Sequence, residues 1–415
     1  MSDVPVEMES ERSPRVDRWI EIAAVFTKLG FTAFGGPMAH LALMENELVT
    51  KRKWCDRQQF LDMAATVNFI PGPNSTELAI HMGYVRGGFP GLVIAGVCFI
   101  TPAVLIILPI AFLYVRYGTL PAVTPVLHTV AAMIVAIVAA ACLRLARDAF
   151  KSPFEMAIGV ITLGLLVLNA MEARPIKQLF HTIQPEIFLL ALAAALGIIW
   201  KTKNAGAAAM LPLAQTTMPS FDTVFDSRWI EMIWFFLKVG ATLFGSGYVL
   251  VSFLQTGLVD QHHWLTTREL NDAIAVGQFT PGPLLTTATF AGYLLGSNTF
   301  GYGTTGGVVG AVVATMAIFA PSFIFIALLA PVLARLREST LARGALDAMN
   351  AAVVVMIGFT IVRLSDDAFT VDGSGIDGLN IAIAIAGLAL LLWKNLNATW
   401  LVLGAIGIGL VRIWI

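Results

Sequence analysis

The sequence predicts an all-α polytopic membrane protein built from two homologous halves arranged as an inverted repeat, each with about five transmembrane helices plus a re-entrant or broken-helix hairpin. Three observations predict it. Of 415 residues, 57% are hydrophobic and only 13% are charged, against about a quarter charged in an ordinary soluble domain, and mean hydropathy is +0.79. Apolar blocks such as Gly91 to Tyr114, Val123 to Leu143, Gly306 to Leu333 and Ala345 to Val362 approach the ~20 residues that carry a helix across ~30 Å of hydrocarbon. Finally, Trp19-Ile20-Glu21 returns as Trp229-Ile230-Glu231. One such block alone would also suit a buried core helix, but a series of them does not.

In chain order, residues 1–18 are polar and show no apolar h-region with a small-residue cleavage site, so the first span is expected to do the targeting. Residues 19–200 form the first repeat, 201–226 a polar, Thr- and Pro-containing linker, and 227–415 the second repeat. Without gaps, Lys28 falls on Lys238, Gly30 on Gly240, Phe34-Gly35 on Phe244-Gly245, Trp54 on Trp264, Asp62 on Asp272 and Pro71-Gly72-Pro73 on Pro281-Gly282-Pro283. After a Gly-rich insertion at Gly301 to Gly307, Pro102 meets Pro321, Arg144 meets Arg363 and Asp148-Ala149 meets Asp367-Ala368. Cys55, Cys98 and Cys142 are scattered and no histidines cluster. No metal site, cofactor or disulfide framework is therefore expected. A net charge of -1 leaves no basic surface for nucleic acid.

Orientation follows from Lys and Arg, which concentrate in cytoplasmic loops. Lys51, Arg52, Lys53 and Arg57 occupy the first loop of the first half, whereas its counterpart, Asp260 to Glu269, keeps only Arg268. The halves should face opposite ways. In the reading that accommodates this, Trp19 to Val49 crosses as a broken helix, Phe60 to Arg86 enters and leaves on one side, and four spans follow. Five crossings per half then invert the second copy and gather most basic residues, Arg144, Arg228 and Arg343 among them, on the cytoplasmic side.

Two breaks per half are expected to form the site. Gly35-Gly36-Pro37 interrupts the first span and Pro71-Gly72-Pro73 sits in the hairpin, and irregular backbone at membrane depth is tolerated only where it is buried or lines a cavity. The helix restarting with Asn74, Ser75 and Thr76 offers N–H groups at the positive end of its dipole. Its copy, after Pro281, Gly282 and Pro283, restarts with Leu284, Leu285 and Thr286. Matching breaks in inverted halves point to a transporter's central site. Lys28 and Lys238, two turns before Gly35 and Gly245, are candidate ligands; the alternative is snorkelling or pairing with Glu21 or Glu231. Glu77 is either a proton-coupling carboxylate or a first-turn dipole partner, and His40 is a weaker coupling candidate. Arg144 and Arg363 read as interfacial anchors, and Trp54 and Trp264 as members of the aromatic belt.

Phe34-Gly35-Gly36-Pro37, Val49, Trp54, Pro71-Gly72-Pro73-Asn74, Gly83-Tyr84 and Phe99-Ile100-Thr101-Pro102 together resemble the chromate ion transporter family in its long, two-domain form. The resemblance implies a multi-pass carrier of the bacterial inner membrane that exports chromate, with sulfate a related oxyanion, at the expense of the proton motive force. Its partners would be the anion, protons and the bilayer, and a homodimer is an admissible assembly. The motif carries over onto Gly35, Gly36, Pro37, Pro71, Gly72, Pro73 and Asn74. In the second half Gly245-Ser246-Gly247 replaces Gly-Gly-Pro and Leu284 replaces Asn, so the first half is expected to dominate substrate contact. A dianion would rest between the hairpin tips, held by N–H groups around Asn74 to Thr76 and by the two lysines. An anion channel using the same helix ends is the alternative. Enzymatic chemistry has no nucleophile, metal cluster or dinucleotide fingerprint behind it.

Overall fold

The computed structural model describes residues 15–35, 37–118, 120, 123–171, 184–202, 227–245, 247–330, 339–371, 375–394 and 396–414. Gly36, Ser246 and nearly all of the linker lie outside the described residues.

The first half opens with α1 (Arg15–Thr32), a break, and α2 (Pro37–Glu45) running on into a π-helical turn, Asn46–Lys51. These do not form the broken crossing expected from the Lys and Arg distribution. Glu21 accepts bonds from Arg52 and from the Trp54 indole, at 3.2 and 3.0 Å. A straight helical run between positions 21 and 52 would hold those groups roughly 45 Å apart at 1.5 Å per residue. The chain therefore doubles back at Gly35 as a first re-entrant hairpin.

A second hairpin pairs α3 (Arg57–Val67), started by a capping box of Asp56 and Gln59, with the opening of α4 (Ser75–Tyr117). Helix α4 is two helices joined at Gly88, whose φ of 65° and ψ of -155° reverse the chain. The arms 75–87 and 89–117 lie so close that a Cβ on Gly83 would come within 2.4 Å of the Gly91 carbonyl. Arg86 returns to Glu21 at 2.9 Å and covers Trp54, which places both hairpin bases at one face. The long arm 89–117 then crosses, followed by α5 (Thr124–Ala149), α6 (Pro153–Ala170) and α7 (Pro185–Thr202).

The second half repeats this order. Helix α8 (Ser227–Thr242) and α9 (Val249–Leu254), with its π-helical extension Gln255–Gln261, make the first hairpin. Helix α10 (Thr267–Phe279), capped by Thr266 and Glu269, makes the second with α11 (Thr287–Leu294). Then come α12 (Gly303–Leu329), α13 (Thr340–Phe369), α14 (Gly378–Trp393) and α15 (Ala398–Arg412). A two-residue ladder pairs Thr370 with Ile376 and Val371 with Gly375. Among the described residues, six helices are long and apolar enough to span a membrane. Val97, Leu105, Val312, Met316 and Leu328 lie exposed along them, as lipid-facing residues should.

The repeat mates α5 and α13 lie side by side and antiparallel: the His128 ring meets the Asp367 carbonyl at 2.9 Å, and Cys142 meets the Val354 carbonyl. The halves are thus inverted. Tyr114, near the far end of the crossing arm of α4, donates to Asp272 at 2.7 Å. The hairpins of the second half accordingly enter from the face opposite to those of the first. Arg228, bonded to the carbonyls of Thr299 and Phe300 at the base of those hairpins, lies at that opposite face rather than among the basic residues where the sequence reading put it. Among the described residues, four apolar helical segments follow the two hairpins in each half, and α14 and α15 are the two too short to count among the six spans. Helix α7 ends at the basic face and α8 begins at the other, and the segment joining them lies outside the described residues.

Candidate functional site

The four backbone interruptions meet at one point. The Gly72 N–H donates to the Leu243 carbonyl at 2.6 Å, and the Gly282 N–H to the Ala33 carbonyl at 2.9 Å. Gly72 and Gly282 are repeat mates, as are Ala33 and Leu243, so this is one contact made twice across a pseudo-twofold axis. Each half closes the broken backbone of the other, as buried amide groups require. Between the tips, Gly35, His40, Pro73, Ser75, Tyr248 and Gln278 help to enclose a notch of about 20 Å³. That is room for a single water.

Pro71, Gly72 and Pro73 are buried at the first tip, and Pro281, Gly282 and Pro283 at the second. Asn74 begins α4 without its side chain capping the helix. Ser75 meets His40 Nδ1 at 3.2 Å, tying the two hairpins of the first half together. Glu77 is fully buried; its Oε1 accepts from Ser322 of the second half at 2.5 Å. Glu77 Oε2 and Thr76 Oγ1 have no partner among the described residues. Two of the N–H groups expected to await an anion are engaged: Asn74 donates to the Gly72 carbonyl at 3.1 Å and Thr76 to the Pro73 carbonyl at 2.9 Å. Thr286 likewise turns both its N–H and its hydroxyl onto the Pro283 carbonyl.

The lysines stand apart from the tips. Lys28 Nζ lies 2.7 Å from Glu47, which also receives Arg52 and Lys51 at 3.2 and 3.4 Å. The carboxylate comes from the returning arm of the hairpin, neither from Glu21 nor from any neighbour in sequence. Lys238 is half-buried in α8 without a carboxylate in ion-pair range among the described residues, since the mate of Glu47 is Gly257. Trp54 and Trp264 pack at the hairpin bases, the former bonded to Glu21 and the latter stacked on His262 at 4.2 Å.

Beside the notch opens a wider cavity of about 250 Å³, lined by Gly35, Asn74, Arg144, Gly245, Tyr248 and Leu391 among others. Arg144 donates to the Leu391 carbonyl at 2.5 Å, at the end of α14. The sequence reads Arg144 as an anchor; its position five residues before the end of α5 gives no sign that the short helices α14 and α15 turn beside the hairpin tip there. Gly245 and Leu145 also belong to a vestibule of about 340 Å³ on the basic face, walled by Asn68, Asp148, Arg343, Asp347 and Asn350. The opposite face is tied shut by Tyr114 on Asp272, Asn271 on Asp367 at 3.0 Å and Arg363 on Asp260. Asp148, the mate of Asp367, is by contrast 86% exposed. On the opposite face a cavity of about 330 Å³ lies beside Tyr114 and Asp272, walled mainly by apolar residues such as Leu113, Val130 and Phe279.

The family profile described as Chromate transporter matches residues 20–214 and 230–410. A chromate transport protein of Cupriavidus metallidurans is 30% identical over 401 residues, covering 94% of this chain and 92% of that protein. One from Pseudomonas aeruginosa is 28% identical over 408 residues, covering 95% and 93%. The uncharacterized transporter YwrA of Bacillus subtilis matches 143 residues at 27% identity, only 34% of this chain but 80% of its own length. No solved structure matches the chain.

Proposed function

Since the chain belongs to the chromate transporter family, we propose that it is a secondary active carrier that exports chromate from the bacterial cytoplasm across the inner membrane, driven by the proton motive force. One observation carries the carrier reading. The broken backbones of two inverted halves close on each other through the mated bonds at Gly72 and Gly282, the arrangement that builds a midplane site between rocking repeats. The basic face is the cytoplasmic one by its lysines and arginines, and the vestibule on that face is where an exporter collects its substrate.

Glu77 is the residue to which we assign the coupling proton. It is buried between halves, holds Ser322 across their boundary and has an oxygen with no described partner. Gaining or losing a proton there changes the bond that links the halves. His40, bonded to Ser75, serves to brace the first tip. A channel has less support, because the notch between the tips has room for one water.

The test is accumulation of labelled chromate in everted membrane vesicles, energised and then treated with an uncoupler, with sulfate as competitor. Accumulation that collapses with the uncoupler is the expected result. No accumulation, or a flux indifferent to the proton gradient, overturns the proposal.

A further inference from the structure

We infer that His81 carries the coupling proton between Glu77 and the basic face. This rests on the carrier reading above and on the role given there to Glu77, and it adds the route by which the proton leaves. The arm 75–87 of α4 starts at the hairpin tip and ends at the base, where Arg86 returns to Glu21 at 2.9 Å. His81 stands one turn after Glu77, so the two side chains share a helix face with Cβ atoms about 5–6 Å apart. At 1.5 Å per residue the imidazole sits roughly 6 Å nearer the basic face. Enclosure loosens in the same direction, from Glu77 at 0% exposed to His81 at 8%. Each also holds a polar atom without a partner among the described residues, Oε2 on the carboxyl and Nδ1 on the ring. A buried polar side chain kept only for packing is ordinarily hydrogen-bonded, as His40 is to Ser75.

The surroundings leave this pair to each other. Helix α12 supplies Ser322 to Glu77 and has no acid or base anywhere along Gly303–Leu329. On the other elements packed against the arm, Lys28 is held by Glu47, Glu21 by Arg52 and Arg86, Arg57 by Glu45, and His40 by Ser75. The transfer is then a plain acid–base step. The Glu77 O–H bond breaks and its proton joins His81 Nδ1, leaving a carboxylate and an imidazolium. The ring gives its Nε2 proton to water on the basic side and is neutral again, the exchange for which imidazole is suited near neutral pH.

The repeat supplies an internal control. Both halves keep the Pro-Gly-Pro tip and the glycine-tyrosine pair that follows it, Gly83-Tyr84 and Gly292-Tyr293. Between Pro283 and Tyr293, however, the second half has only Leu, Thr, Ala, Phe and Gly. Neither the acid nor the base is copied, so there is one proton path per chain. It lies in the half whose hairpins are based on the basic face, and an exporter driven by the proton motive force must deliver its protons to that face.

The experiment separates proton transfer from anion movement in everted vesicles bearing the full-length chain. Two rates are measured for wild type, His81→Gln, His81→Glu and Glu77→Gln. One is energised accumulation of labelled chromate, which needs net proton transfer; the other is exchange of labelled for unlabelled chromate without a gradient, which does not. Losing a positioned proton-transfer group should cut accumulation by His81→Gln at least about tenfold while exchange stays within about twofold of wild type. His81→Glu, which titrates, should recover part of the accumulation. Accumulation by His81→Gln within about twofold of wild type, or a fall in both rates together, overturns the relay, and Glu77→Gln made alongside shows whether the coupling role of Glu77 stands without it. Should His81→Gln fail to fold, purified wild type and Glu77→Gln carrying isotope-labelled histidine decide by NMR: the titration of the His81 ring should differ between them, and coincident curves overturn the relay. Wild-type vesicles without uncoupler-sensitive accumulation overturn the carrier reading and the relay with it.

Discussion

Replacing Lys28 with methionine separates an ammonium that serves the hairpin from one that serves the substrate. Glu47, its partner, is 7% exposed and receives Lys28, Arg52 and Lys51. The Lys28 side chain is itself 52% exposed, so losing that one pair should cost at most about 1 kcal/mol. Glu47→Gln is the harsher change, because it removes the shared acceptor. Breaking a fully buried pair costs about 3–5 kcal/mol, and discounting for the two half-exposed lysines leaves roughly 2 kcal/mol. Thermal unfolding of the purified proteins and initial rates of chromate uptake into everted vesicles read the two effects separately. Lys28→Met should melt nearly as wild type with KM within about twofold, as expected for a surface pair, whereas Glu47→Gln should melt several degrees lower with KM retained. A tenfold rise in KM for Lys28→Met, at unchanged melting temperature, would refute the structural reading of this lysine.

Three further predictions concern other parts of the molecule. Glu77→Gln should abolish uncoupler-sensitive accumulation in vesicles while leaving sulfate binding to the purified protein within a few-fold of wild type; retained, gradient-dependent accumulation would remove Glu77 from the coupling role. A Cβ on Gly240 would meet the Ile318 carbonyl at 2.0 Å, while one on Gly404 meets nothing within 4 Å. Gly240→Ala should therefore destabilise by about 1–3 kcal/mol and Gly404→Ala should stabilise slightly, which thermal melts will show. In the loop before α14, burial raises the carboxyl of Asp377, but bonds from the Asn380 N–H and from Arg412 outweigh it and hold the group below its ordinary range. A depressed folded pKa contributes stability above the unfolded value and loses it as pH falls. Asp377→Asn should lower the melting temperature at pH 6, and the gap from wild type should close as pH drops below about 4; a gap that stays constant into acid would contradict this.

Much of the architecture was readable because a repeat is a statement about pairs. Trp54 and Trp264, or Asp62 and Asp272, declare two copies whatever they fold into, and the surplus of lysine and arginine near Lys51 to Arg57 declares inversion. What was not readable is direction at a break. Gly35-Gly36-Pro37 interrupts a helix equally well whether the chain continues or turns back, and hydropathy counts residues without regard to heading. The reversal is what brings Glu47 to Lys28, so the pairing was hidden together with it. The surroundings of Arg144 were hidden for a related reason: they depend on α14 and α15, short helices whose loop beside Gly35 no period in the sequence announces. The engagement of the Asn74 and Thr76 N–H groups by the carbonyls of Gly72 and Pro73 is a matter of turn geometry, which composition does not resolve.

The mated bonds at the tips make each half incomplete without the other. A chain with one half alone would leave the Gly72 N–H and the Ala33 carbonyl exposed at membrane depth, each at a cost of several kcal/mol in hydrocarbon. One half by itself leaves its broken backbone unclosed, and the half that closes it has to enter from the opposite face.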